Sequence, residues 1–352
     1  MTKKLFAILS VLIVGSMLLA ACATTTPTEP PVASEEPAAK IKVCQITDTG
    51  GIDDKSFNAT AWKGITDAQA QLGIEAKYLE SKEVADYEKN LNAFIEEKCD
   101  LIITVGFLIG DATKAAAEAN PDIKFSIVDY NYDPAIPNVT GQIFNTDEAA
   151  FLAGYLAAGV TKTGVVGTFG GLPIPTVTIF MDGFYKGVAK YNEVKGTDVK
   201  VLGWDPATQT GLFSNSFDDQ QKGSELAKSL MDEGADIIMP VAGPVGLGAA
   251  AAIKERGNAN LIGVDSDWAL TSPEYADITL TSVMKLMDAT TMQVIQSVID
   301  GTFVGGDVVG TLANNGVALA PFHELESLVP AELAAEIEQL KADIIAGTIT
   351  LK

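Results

Sequence analysis

Residues 41–58 read IKVCQITDTGGIDDKSFN, and the fold class turns on this stretch. Its first six residues form a short, mainly apolar β-run. The chain then breaks into a loop that holds Gly50, Gly51 and the carboxylates Asp48, Asp53 and Asp54, and it ends on Phe57 and Asn58. A helical pattern follows, AWKGITDAQAQLG. A strand that feeds a helix through a polar, glycine-bearing turn is the working unit of open α/β sheets, which take ligands outside the carboxyl ends of their strands. This loop is expected to touch whatever the protein binds.

Working outward, Gly73 stops the helix over 59–72 in the manner of a C′ glycine. A strand over 75–79, a polar helix over 85–98 and the run DLIITV at 100–105 come next. The last is continuously apolar, as a strand covered on both faces must be. An alanine-rich helix and a strand over 124–129 complete the pattern. Strands alternating with helices predict an α/β fold with parallel sheets.

The plan then recurs. EKCDLII at 97–103 resembles EGADIIM at 233–239, and each is followed by a glycine turn, an alanine-rich helix and an apolar strand ending in aspartate. The spacing is the same, 29 residues from Asp100 to Asp129 and 29 from Asp236 to Asp265. Two Rossmann-like lobes related by a rough two-fold are expected. Lobe 1 spans 40–145 plus about 270–310, and lobe 2 spans 146–269 plus about 311–352. Asp129 and Asp265 then end equivalent strands and face an inter-lobe cleft, where small molecules are commonly held. Their plainer alternative is to cap the next turn.

Ahead of the lobes, a short basic start, an apolar run over 5–21 and the box Leu19-Ala20-Ala21-Cys22 predict a signal peptide over 1–21. The box resembles the bacterial lipoprotein signal, which implies a lipid on Cys22. Residues 22–39, rich in Pro, Thr and Glu, read as a flexible tether. A stable lipid anchor takes more than one acyl chain. The expected location is the cell membrane, lipid-anchored on its extracytoplasmic face. The net charge of −22 argues against nucleic acid as a partner and suits a soluble body. Cys44 and Cys99, which the pattern places near neighbouring strands, are read as two free buried thiols rather than a disulfide.

Enzymatic signatures are missing from the sequence. His323 is the single histidine and has no nucleophile motif beside it. No Walker loop, nucleophile elbow or zinc pattern is present, so neither cofactor nor metal is expected. The glycines at Gly243, Gly246 and Gly248 stand in the wrong order for a dinucleotide fingerprint. What remains suits a flat polar ligand. Phe57, Phe180 and Phe217 can pack on a ring, although each taken alone also fits a core role. Asp129, Asp265, Asn58 and Lys285 can hydrogen-bond its edge or hydroxyls.

These residues stand in motifs that resemble the basic membrane protein family of substrate-binding lipoproteins, which includes purine nucleoside receptors. The motifs are TDTGGIDDKSFN, FMDGFYKGV, SFDDQQKGSELA, GVDSDW, LTSVMK and GVALAPF, in order from about residue 40 to 322. The resemblance implies a periplasmic-binding-protein type I fold and capture of a purine nucleoside (inosine, guanosine or adenosine) for an ABC permease, with hinge closure and no catalysis. It further implies Phe57 and Phe217 against the two faces of the base, Asn58 and Asp129 at its edge, and Asp265, Lys285 and Gly243 at the ribose. Trp268, where glutamine is expected in that motif, departs from the pattern and is expected to narrow the cleft mouth or alter the hinge. A monomer is favoured, because one cleft must open and close. The rival readings are a same-fold receptor for a sugar or another small metabolite, and a ligand-sensing surface lipoprotein. Sugar sites in this fold gather arginine, and Arg256 is the only one in the chain.

Overall fold

The computed structural model describes residues 40–351. The leader, Cys22 and the tether lie outside the described residues. The first sheet has the order β13-β5-β4-β3-β1-β2, with every pair parallel. Its strands are β1 (Lys42–Ile46), β2 (Glu75–Leu79), β3 (Leu101–Val105), β4 (Lys124–Val128), β5 (Val139–Phe144) and β13 (Gly306–Gly310). Helices α1 (Phe57–Leu72) and α9 (Met287–Ile299) pack together on one face, and α2 (Asp86–Glu96) and α3 (Gly110–Ala119) lie together on the other. β3 is buried at all five positions, which is why it reads as an uninterrupted apolar run.

The second sheet repeats the plan in the order β14-β12-β11-β10-β6-β7. It contains β6 (Val165–Gly170), β7 (Lys200–Leu202), β10 (Ile237–Val241), β11 (Asn260–Asp265), β12 (Thr279–Lys285) and β14 (Val317–Leu319). All of its pairs are parallel except β12–β14. Helices α4 (Thr146–Val160) and α5 (Pro175–Lys195) form one packed pair, and α6 (Gln220–Asp232) and α7 (Val245–Arg256) the other. A small hairpin, β8 (Trp204–Asp205) and β9 (Thr210–Gly211), stands apart. Short α8 (Trp268–Thr271) follows β11, and α10 (Ala331–Ile345) closes the chain against α4.

The chain passes between the two sheets three times: after β5, after β12, and between β13 and β14. These crossings are stitched together. Asn145 N donates to Gly310 O at 2.8 Å, Leu286 N to Gly316 O at 2.9 Å, and Leu312 N to the Glu148 carboxylate at 2.7 Å.

Three expectations need correction. The segment from about 270 was assigned to lobe 1, but β12 pairs with β11 in the second sheet and the crossing comes only at Leu286. A buried apolar strand announces itself without announcing its neighbour. Trp268 does not narrow the cleft. It is 1% exposed, donates its indole N–H to Val264 O at 2.9 Å, and packs in the lobe 2 core. The lack of a side chain at Gly263 makes room for it, since a Cβ there would lie 2.5 Å from the indole Cγ.

The third correction concerns the thiols. Cys44 and Cys99 are joined as a disulfide, with Cα atoms 6.1 Å apart. The sheet order sets β1 beside β3, so Cys44 in β1 comes within reach of Cys99 just ahead of β3. The bridge spans a sequence separation of 55. On the chain-entropy account, a loop of that size makes the link worth about 4 kcal/mol. Replacing both cysteines by serine is expected to lower the denaturant midpoint accordingly, and reductant to lower that of the native protein alone. A midpoint insensitive to both changes would show the bridge to be absent in solution.

A candidate ligand cleft between the lobes

The carboxyl ends of the two sheets face each other across a cleft. From lobe 1 the β1–α1 loop enters it. Asp54 organises that loop: its carboxylate accepts the backbone N–H groups of Ser56 at 3.0 Å, Asn58 at 2.7 Å and Ala59 at 3.0 Å, so it caps the start of α1. The Asn58 amide donates to Asp48 Oδ1 at 2.9 Å and Asp54 Oδ2 at 3.1 Å. Its donor end is thereby spent inside the loop, while Oδ1 is buried without a partner. Phe57, the first residue of α1, lies against the cleft beside it.

The ends of β4 and β11 carry Asp129 and Asp265. Both have left-handed backbones, with φ of 67° and 68°, a conformation that aspartate tolerates better than most residues. The matched angles express in geometry the 29-residue repeat seen in the sequence. Lys285, the last residue of β12, reaches between them. Its ammonium donates to Asp129 Oδ2 at 2.6 Å and stands 3.9 Å from Asp265 Oδ1. It also lies 5.0 Å from the ring centre of Phe57 and 5.3 Å from that of Phe180. At 3% exposure an unpaired ammonium would be costly, so the carboxylates and ring faces account for its presence.

Lobe 2 supplies Phe217, held over Gly171, where a side chain would collide with the ring. It also supplies Gly243 and Pro244 ahead of α7, and Thr176, Val177 and Phe180 from the start of α5. The lobes meet directly at the rim. Ser56 Oγ lies 3.0 Å from both Val264 O and Asp265 Oδ2, and Ser266 Oγ donates to Lys55 O at 2.9 Å.

All seven residues expected at a ligand, Phe57, Asn58, Asp129, Phe217, Gly243, Asp265 and Lys285, line this one cleft. Sequence reasoning passed over Asp48, whose carboxylate also lines it. The loop acids TDTGGIDD are visible in the sequence, but nothing in their spacing marks Asp48 and Asp54 as the two that both shape the turn and line the cleft. His323 is paired with Asp267 at 2.7 Å and does not line the cleft. Arg256 bonds to Asp232 on the surface.

Four acids and a single ammonium line the cleft. Burial pushes the carboxyls of Asp48, Asp129 and Asp265 up, and it carries Asp54 from its ordinary 3.8 to about 7. A carboxyl with a raised folded pKa holds a proton that the unfolded chain has already released. Its contribution to stability therefore falls as pH climbs from about 4 to about 7. Asp54→Asn is expected to flatten that slope in denaturant titrations across the window. An unchanged slope would show that Asp54 is ionised throughout.

Residues 41–352 match the family model described as Bmp, ABC transporter substrate-binding protein PnrA-like. Basic membrane protein A of Borreliella burgdorferi is 34% identical over 308 residues, covering 86% of this chain and 85% of that protein. The ABC transporter nucleoside-binding protein BmpA of Lactococcus lactis is 29% identical over 369 residues, covering 100% of this chain and 99% of that protein. A solved ABC transporter solute-binding protein from Aeropyrum pernix K1 superposes with a TM-score of 0.80 at 27% identity, covering 88% of this chain and 92% of that one. Such proteins bind a small molecule outside the cytoplasm, hand it to a membrane permease and catalyse no reaction. With its two parallel-sheet lobes and their shared cleft, this chain belongs to the Bmp family of ABC transporter substrate-binding proteins.

Proposed function

We propose that this protein captures a purine nucleoside, closing its lobes around it as a lipid-anchored, monomeric receptor for an ABC importer. One observation carries the reading: Phe57 and Phe217 line the same cleft as a set of buried carboxylates served by one ammonium. Aromatic rings on a base recognise it at low entropic cost, because they carry few rotatable bonds. The free Oδ1 of Asn58 and the carboxylates of Asp48 and Asp129 accept N–H groups from the base edge. Asp265 and Lys285 take ribose hydroxyls, with the Gly243 turn alongside. The acidic excess in the cleft disfavours a phosphate, so a nucleoside fits better than a nucleotide. The Lactococcus lactis relative, named as a nucleoside-binding protein, points the same way. A sugar is disfavoured because Arg256, the chain's one arginine, lies outside the cleft.

Calorimetric titration with inosine, guanosine and adenosine tests the proposal, and heat with at least one of them is expected. Absence of both heat and a melting shift with all three at millimolar concentration would sink it. Asp265→Ala is expected to cost nucleosides about 2 kcal/mol, roughly thirtyfold, and free bases far less. Equal losses for both would remove Asp265 from the ribose. Gly171→Ala is expected to displace the Phe217 ring and weaken binding several-fold while the melting temperature barely changes. Unaltered affinity would remove Phe217 from the base. A Cys22→Ser form is expected to leave the membrane fraction, and its retention there would refute the lipid anchor.

A further inference from the structure

A second, partly open pocket adjoins the cleft on the side of the hinge. The two cavities share Asp129, Thr176 and Lys285, so the Asp129–Lys285 ion pair stands as the partition between them. Beyond that partition the walls are mostly apolar: Ile143 and Phe144 from the end of β5, Pro175 and Ile179 from the start of α5. Two polar side chains break the apolar lining: Asn145, whose amide N–H is spent on Glu148 at 2.9 Å, and Thr146. Thr146 is fully buried, lines the cavity, and its hydroxyl has no hydrogen-bond partner. A buried hydroxyl left unpaired costs free energy, and a ligand atom would relieve that cost.

We infer that this cavity is a subsite for a short alkyl substituent, joined through one heteroatom to the ligand held in the cleft. The inference rests on the nucleoside reading and extends it to a class: nucleosides with an alkyl group beside the Asp129–Lys285 pair. The alkyl chain lies against Ile143, Phe144 and Ile179, where burial of each methylene is favourable. The linking heteroatom meets the Thr146 hydroxyl, which both donates and accepts. A substituent on the sugar (5′-alkylthio) and one on the base (N6-alkylamino) share this chemistry.

The test is calorimetry of the full-length protein with adenosine, 5′-deoxy-5′-methylthioadenosine and N6-methyladenosine. At least one substituted nucleoside is expected to bind within about threefold of adenosine, and which one it is identifies where the substituent projects. Ile179→Trp, which fills the cavity from a half-buried position, is expected to weaken that ligand by about tenfold or more and leave adenosine unchanged. Thr146→Val, which keeps the shape and removes the hydroxyl, is expected to weaken the same ligand selectively. Adenosine binding with rejection of both substituted forms would overturn the subsite alone. So would an equal loss for adenosine and its derivative in Ile179→Trp. Failure of all three ligands would overturn the nucleoside reading, and the subsite with it.

Discussion

The ammonium of Lys285 is the point on which the two lobes depend. It leaves the last residue of β12, immediately before the chain crosses back to lobe 1, and lies between a carboxylate from each lobe. Removal of a charge from water is expensive, and the cost is met only if the buried geometry supplies partners. Asp129 supplies the close one at 2.6 Å, Asp265 the second, and the faces of Phe57 and Phe180 complete the surroundings. A single side chain thus couples the hinge, both strand-end acids and an aromatic wall of the cleft.

The repeated lobe plan explains why the acids are where they are. A parallel strand that ends in a left-handed aspartate turns its carboxylate out of the sheet and over the strand's carboxyl end. Because both lobes do this at equivalent strands, with φ differing by one degree, two such carboxylates converge on the same space. The hinge keeps them aligned. Its three crossings are cross-linked by backbone hydrogen bonds and by Glu148, which ties the strands of the seam to one another. At the opposite rim Ser56 and Ser266 bridge the lobes through their hydroxyls.

The acidic lining also sets a preference. With four buried carboxyls and one ammonium, the cleft favours neutral ligands rich in N–H and O–H donors over anions. Burial pushes all four acids up, and the Lys285 ammonium opposes that push at Asp129 and Asp265. The chain's large negative charge is a separate matter of its surface and does not define the site.

Local patterns were legible without coordinates. The alternation of strands and helices and the recurrence at equal spacing follow from short-range order, because periodicity and turn chemistry act over a few residues, whereas Phe57, Asn58, Asp265 and Lys285 stand out through the family motifs that contain them. Pairing was not legible. The bond between Cys44 and Cys99 depends on β1 lying beside β3, and the lobe to which β12 belongs depends on its lying beside β11. Both adjacencies join segments far apart in the chain. Trp268 is expected at the cleft mouth because, in GVDSDW, it replaces the glutamine of the family motif, yet the turn after β11 sends it into the core over Gly263. The sequence by itself determined which segments become strands and helices and that they come in two similar sets. Only the tertiary structure decided which strands are neighbours and which side chains face the cleft, because those outcomes depend on packing between elements that local sequence does not encode.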